Sequence, residues 1–502
     1  MSERTPEQSL DDLIAGSKVT RRQVLKWSGT LAVTSLAAPI LAACGGETGG
    51  GATPTSGTTG GNVATPEAPQ PTPVATTNVS GWNPRFKDKA TVSRFGFGTD
   101  NTTARVRVQA FEQAYPNITL KAAPEIDDQK ILTAVASGDV PDLFWLGRNT
   151  VLSWAARDAL EPMDDLIKND DRFKLDNFYE AAVKEVQYEG QTWAIPQFMD
   201  ARPIFVSLEP LRQAGLKVEN IDTSDWQQLR EFGEKLTKKQ GNKITRWGFD
   251  TKVQSGFLWM YSWGNGSSLL SDDGKTATFD TPENIEALKY TVDTMNSQGG
   301  FRSYKAFLDT TQFEGPENFI VKNQVVMTPF ESWLLGIIAE GDPKHEFRAL
   351  PFKGKNGDII SMSGGNAWAI PKGAKNKEAA WEFISFMSDA DIWRKAGEAE
   401  KKETKAAKGV YIPSLTANKA ADKMLREEVY TSTTPAIDEA VDLFPQLLEQ
   451  SKQVVASPVL KEITDILQAE AVDPALQGSK QPDAAMKDAQ QKAQRALDKF
   501  YK

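Results

Sequence analysis

Cysteine and histidine are almost missing from this chain. One of each, Cys44 and His345, occurs in 502 residues. A single thiol excludes an intrachain disulfide framework and a cysteine-rich zinc site. A single imidazole excludes a multi-histidine metal centre and leaves any Ser-His-Asp or Cys-His machine dependent on one base. A positive surplus is also missing. Lys and Arg number 58 against 67 Asp and Glu, for a net charge of −9 and a pI near 5.1. A nucleic-acid partner needs a basic face to displace counterions, so none is expected. No phosphate-cradling Gly-rich loop, metal-ligand cluster or nucleophile elbow is present, and no cofactor is expected. What remains is ordinary globular material, 40% hydrophobic and 25% charged. The length allows two to four domains with a large core.

Residues 1–43 read as a targeting segment outside the fold. Thr20-Arg21-Arg22-Gln23-Val24-Leu25-Lys26 resembles a twin-arginine export motif, with Val24 where Phe is commoner. The apolar run Ser28 to Ala43 has 16 residues, broken by Gly29 and Pro39. A stable span needs about 20 apolar residues. The run ends Leu41-Ala42-Ala43-Cys44, which is similar to a bacterial lipobox, in which the cysteine sulfur takes a diacylglyceryl group and the chain is cut before it. This predicts an exported protein, lipid-anchored through Cys44 on the outer face of the cytoplasmic membrane and touching the membrane only there. Loss of five basic and four acidic leader residues moves the net charge to −10 and leaves no free thiol. Residues 45–80 hold 24 Gly, Pro, Thr or Ser among 36 and no aromatic. Such a segment cannot bury enough apolar surface to offset its ordering entropy, so 44–83 reads as the lipidated cysteine and a tether.

Beyond the tether, strands and helices alternate. Thr91–Phe95 reads as a strand and Arg105–Tyr115 as a helix stopped by Pro116. Ile118–Leu120 is a second strand, a helix capped by Asp127 and ended by Gly138 follows, and Asp142–Trp145 is a third strand. This βαβαβ run predicts an open α/β sheet. Val186–Tyr188 and Thr192–Ile195 read as a hairpin about Glu189-Gly190-Gln191. Ile204–Val206, Val325–Met327 and Ala367–Ile370 read as strands. Trp226–Leu236, Asn284–Met295, Glu378–Met387 and Pro482–Tyr501 read as helices. Residues 395–408 read as a polar helix or linker, and no internal repeat is visible.

These blocks carry a resemblance. Phe111-Glu112-Gln113-Ala114-Tyr115-Pro116-Asn117-Ile118 is similar to the first helix-to-strand step of extracellular solute-binding proteins of the maltose-binding type. Leu132 to Phe144, with Gly138 and Pro141-Asp142, resembles their next block, and Asp158 to Asp165 the one after. Trp193-Ala194-Ile195-Pro196, Leu211 to Leu216, Phe279 to Glu283, Phe319 to Met327 with Trp333, Gly364 to Ile370 and Lys375 to Ala380 continue the series in family order. Val206-Ser207-Leu208-Glu209 departs from it, standing where the family has a Tyr-Asn-Lys-type element. The resemblance implies an α/β fold of two lobes about a hinge (type II), each an open sheet with helices on both faces. Lobe 1 is expected at 84–196 plus 364–405 and lobe 2 at 197–363 plus 406–502. Crossings are expected near Ile195–Asp200, Met362–Gly365 and Lys405–Val410. The implied job is not catalysis. It is capture of a solute between the lobes and delivery to the permease subunits of an ABC importer, by a monomer.

The ligand is read as a carbohydrate, an oligosaccharide, whose apolar C–H faces and polar edges call for aromatic rings and carboxylates. Twelve tryptophans fall after Cys44, and sugars suit Trp and Tyr faces beside carboxylates. A polyamine, a glycerol phosphate, or a glycoside-active enzyme using two carboxylates are the alternatives. Helical stripes put Trp154, Trp226, Trp381 and Trp393 in the core. Trp145 ends the third strand, where ligands of open α/β sheets gather, and Arg148 follows it. By resemblance Asp200 is a cleft carboxylate, Trp333 a stacking ring, and Trp368 and Tyr411 aromatics beside crossings. One of Trp259 and Trp263 is expected to line the rim. Phe97 and Asp100, after the first strand, complete the candidates. His345 is expected to be solvated.

Overall fold

The computed structural model describes residues 81–123, 133–135, 137–252 and 255–501. The readings of Arg21, Arg22, Cys44, the tether to residue 80 and the Asp127 cap lie outside these residues.

The first α/β run folds as its pattern predicts. β1 (Ala90–Phe95) pairs in parallel with β2 (Ile118–Ala122) and β3 (Leu143–Gly147). The helix Thr102–Ala114 between β1 and β2 starts where Asn101 accepts the Ala104 amide at 2.7 Å, an N-cap that satisfies an otherwise orphaned donor. The predicted hairpin is a short ladder, β4 (Gln187–Tyr188) on β5 (Gln191–Thr192). β6 (Ile195–Pro196) ends this part of the chain.

A second sheet follows, from β7 (Ile204–Ser207), β8 (Lys238–Gln240), β9 (Lys243–Phe249), β10 (Val325–Pro329) and β11 (Phe347–Leu350). The chain returns through β12 (Ser361–Met362) to β13 (Asn366–Ala369), and β14 (Ser451–Lys452) later pairs with β12. The first sheet runs β2-β1-β3-β13-β6 and the second β11-β7-β10-β9-β8. The chain passes between them at 197–203 and at 351–365. Helices cover both sheets, and Trp154, Trp226, Trp381 and Trp393 are buried.

The third passage differs from the expected Lys405–Val410. The polar stretch is a helix, Ala390–Ala406, and the chain after it stays on the first lobe. Tyr411 packs with Trp393 in one cluster with Ala421, Leu425 and Val429. The Tyr179 hydroxyl donates to Asp422 at 3.0 Å. The chain reaches the second lobe only at the helix Pro435–Glu449, where Phe444 meets Phe205. Gly397 leaves room for this packing: a Cβ there would stand 2.7 Å from the tyrosine oxygen and 2.4 Å from Leu425.

The start of the described chain is strapped to the first lobe. The Trp82 indole donates to the Tyr115 hydroxyl at 2.8 Å and meets Phe386 edge-on at 5.1 Å. The Arg172 guanidinium lies 4.5 Å over the Trp82 ring and donates to the Asn83 carbonyl at 2.9 Å. Asp170 fixes Arg172 from below at 2.8 Å and also takes the Trp381 indole at 3.1 Å.

Gly365 marks the second passage. Its φ is +140°, and a Cβ would stand 2.1 Å from the Phe198 oxygen. A side chain there must displace backbone of the first passage. Gly365→Ala is expected to cost on the order of 2–3 kcal/mol, read as a lower urea midpoint. An unchanged midpoint would show that the passages are not packed this tightly.

Candidate functional site

The two passages between the sheets are bonded to each other. The Asp200 amide donates to the Gly364 carbonyl at 3.0 Å and the Arg202 amide to the Ser361 hydroxyl at 3.2 Å. Ser332, just after β10, exchanges bonds with Ala201, its amide donating at 2.8 Å and its hydroxyl accepting at 3.2 Å. Arg148, at the end of β3, ties these segments to the first lobe. Its guanidinium donates to Glu185 at 2.6 Å, to Ser363 at 2.9 Å and to the Phe198 carbonyl. It is 1% exposed, so it is a structural tie and not the free ligand contact the sequence suggested.

A second group of charges stands beside it. β9 and β10 are parallel, so their carboxyl ends deliver Lys252 and Glu331 to one place. The two side chains form an ion pair, and Arg202 lies 3.7 Å from Glu331. The Lys252 ammonium sits 3.2 Å from the centre of the Phe330 ring and 4.6 Å from that of Phe257. Arg202 stands 4.8 Å from the same Phe257 ring. Burial would raise the Glu331 carboxyl, but Lys252 and Arg202 hold it below its ordinary value. Burial pulls the Lys252 ammonium down against the attraction of Glu331.

Asp200 completes the cluster. The residue is 8% exposed, and among the described residues burial and neighbouring charges, not hydrogen bonds, act on its carboxyl. Burial, helped by the charge of Glu331, pushes it from about 3.8 to about 7, against Arg202, Arg148 and Lys252. Gly364 leaves the space in front of it: a Cβ there would lie 3.3 Å from the Asp200 oxygen and 3.0 Å from Arg202.

Aromatic rings flank the joint on both sides. On the first lobe, Phe97 meets Trp145 at 5.6 Å, and the half-buried Trp145 donates to the Gln197 amide oxygen at 3.0 Å. On the second lobe, the half-buried Trp333 packs on Phe330 at 5.2 Å and Phe313 at 5.8 Å. Trp263 is half-buried, whereas Trp259 beneath it is core at 2% exposure. Trp368 is fully buried against Phe97 and Phe383, and Tyr411 is buried against Trp393. Both belong to the interior because their strand and loop pack beneath the Ala390–Ala406 and Lys377–Ser388 helices. Asp100 is exposed on the loop after β1. His345 is buried, contrary to expectation, since its loop folds the ring against Phe347 and within 3.3 Å of the Ser207 hydroxyl. A groove of about 460 Å³ runs between the helix Arg148–Ala155 and the helix Leu460–Leu467, lined by Trp154, Arg157, Lys461 and Asp465.

Arg202, Lys252, Phe257, Phe330 and Glu331 were not singled out from sequence. β9 was not read as a strand, so Lys252 had no strand end to mark it. Among the described residues, no three His, Cys, Asp or Glu are grouped to hold a metal, and no helix is long and apolar enough to cross a membrane.

Two α/β lobes joined by paired passages, with charged and aromatic side chains at the joint, define the type II solute-binding fold. An ABC substrate-binding protein of Listeria monocytogenes, solved in complex with cycloalternan, superposes with a TM-score of 0.67 at 20% identity, over 82% of this chain and 100% of that one. At that identity the likeness establishes the fold. Residues 98–392 match the model of the bacterial extracellular solute-binding proteins, and the chain belongs to that family, whose members bind solutes and are not enzymes. A Brucella abortus protein named as a binding protein is 26% identical over 401 residues, 78% of this chain and 89% of the relative. The arabinooligosaccharide-binding protein of Bacillus subtilis is 22% identical over 296 residues, 57% of this chain and 65% of that one.

The raised Asp200 carboxyl sets a pH dependence. The folded state holds this proton more tightly than the unfolded chain, so stability falls as pH rises from about 4 to about 7. The full shift corresponds to on the order of 4 kcal/mol. Buried Asp422, also raised to about 7, adds a slope of the same sign, so the test is a difference. Asp200→Asn is expected to lose less stability across that window than the parent chain, measured by urea unfolding at several pH values. Parallel curves would contradict this assignment.

Proposed function

We propose that the protein captures a neutral carbohydrate at the joint between its lobes and delivers it to the permease of an ABC importer. The observation that carries this reading is the Asp200 carboxyl, buried on a passage that Trp145 reaches through Gln197 on one side and that Ser332, next to Trp333, bonds at Ala201 on the other. A carboxyl accepts bonds from sugar hydroxyls, and rings cover the apolar C–H faces. Trp145, Phe97, Asp200, Trp333 and Trp263 are the contacts in this reading, with Arg148 positioning the passages. The sugar specificity named for the Bacillus subtilis relative and the sugar complex of the Listeria monocytogenes protein support the ligand class.

The lobes in this reading are 84–196 with 364–430, and 197–363 with 431–502. They close on the ligand by turning about the passages as rigid bodies, since few torsions need to change. A ligand shifts that equilibrium only by its differential affinity for the two states. The protein acts as a monomer, exported through the Arg21-Arg22 motif and held outside the cytoplasmic membrane by lipid on Cys44.

Trp333→Ala is expected to weaken sugar binding by at least about tenfold, because ring stacking adds about 0.5–1.5 kcal/mol to the lost area burial. Thermal shifts against a panel of mono- and oligosaccharides identify the sugar, and calorimetry then gives the ratio of affinities. Small-angle scattering is expected to show compaction on saturation. No stabilisation by any neutral sugar, or equal affinity in the variant, would overturn the reading. For the anchor, Cys44→Ala is expected to move the protein from the membrane fraction to the soluble exported fraction. Full membrane retention of that variant would exclude lipidation at Cys44.

A further inference from the structure

The chemistry around Lys252 is that of a receptor site for an ammonium ion. Two ring faces, Phe330 at 3.2 Å and Phe257 at 4.6 Å, and the Glu331 carboxylate surround the Lys252 nitrogen. Aromatic faces combined with a carboxylate are how proteins recognise amine and quaternary ammonium ligands. Here the cation is supplied by the chain itself. Arg202 stands beside the same groups, 4.8 Å from Phe257 and 3.7 Å from Glu331.

The placement is held from the backbone. Lys252 has φ +49°, a left-handed conformation uncommon for a lysine. Its amide donates to Asp250 at 2.8 Å, Tyr304 holds that carboxyl at 2.8 Å, and the Tyr261 hydroxyl donates to the Thr251 carbonyl at 3.1 Å. A lysine serving only for solubility would leave its ammonium in water. This one is 9% exposed. Such constraint at a strand end, in the middle of the joint, points to a function for the position.

We propose that Lys252 is a specificity residue, filling an ammonium cage made by Phe257, Phe330 and Glu331 so that amines and quaternary ammonium compounds are refused at the joint. The inference rests on the reading that the joint is the ligand site, and it narrows the ligand class. The two cations share the Glu331 carboxylate, and the ring faces and carboxylate that would hold an ammonium ion at this point are already used. The Asp200 carboxyl is the polar group left for a ligand, and it serves a hydroxyl compound. The polyamine alternative is thereby disfavoured by the protein's own side chain.

The test vacates the cage. Full-length Lys252→Ala is compared with the parent chain and with Lys252→Met, which keeps the cage filled without the charge. Each is titrated with methylammonium and tetramethylammonium chloride, with sodium chloride at equal ionic strength as the control. Lys252→Ala is expected to gain at least about 3 °C in unfolding midpoint at roughly one hundred times the dissociation constant. The parent and Lys252→Met are expected to respond no differently from the salt control. If Lys252→Ala does not fold alone, refolding with methylammonium present is expected to restore the folded fraction, whereas sodium chloride does not. An alanine variant no more responsive than the parent, a methionine variant that responds equally, or no rescue by either ammonium salt overturns the proposal. None of these readouts uses a sugar, so failure here is separable from failure of the carbohydrate reading.

Discussion

One buried guanidinium holds the joint together. Arg148 sits at the end of β3 and donates to three segments: Glu185 behind the first sheet, the Phe198 carbonyl on the first passage, and Ser363 on the second. Burying a charge so completely costs several kcal/mol unless each donor finds a partner, and here the partners are the passages themselves. Burial raises the Glu185 carboxyl, and Arg148 is the first influence that brings it back. The tie explains why both passages are short and why Gly365 must lack a side chain. A guanidinium that fixes the ends of the passages confines any lobe motion to the few residues between them.

The charge cluster depends on that frame. Lys252 and Glu331 come from neighbouring parallel strands of the second sheet, while Asp200 and Arg202 come from the passage that Arg148 positions. Four ionisable groups therefore share one enclosed space. Their influence on one another follows from that enclosure. Glu331 is held ionised by two cations, and its charge in turn helps to keep the proton on Asp200. Two carboxyl groups thus stand at the joint with their proton affinities shifted in opposite directions, by their neighbours and not by residue type.

Much of the architecture was legible because it rests on periodicity. The strand–helix–strand run from Thr91, the helix from Trp226 and the final helix from Pro482 all stand where their apolar spacing put them. The third passage was expected at Lys405–Val410 from the resemblance, whereas Tyr411 packs beside Gly397 in a cluster with Trp393, a contact that no spacing in the sequence marks. The site was legible only at its edges. Trp145, Asp200 and Trp333 could be singled out as strand-end or passage residues. Trp368 and Trp259 share their residue type and neighbourhood, yet pack inward, because the direction of a side chain is fixed by what lies beneath its strand or helix. Lys252 shows the opposite case. A lysine reads as surface from sequence, and only the meeting of two strand ends with two phenylalanine rings makes it interior.

The strap at Trp82 has a mechanical meaning. The indole is gripped by Tyr115, Phe386 and Arg172, all on the first lobe, and no part of this grip touches the passages. A pull applied at residue 81 therefore enters the first lobe and stops there. The second lobe takes no part in this grip, so the start of the described chain is carried by the first lobe alone.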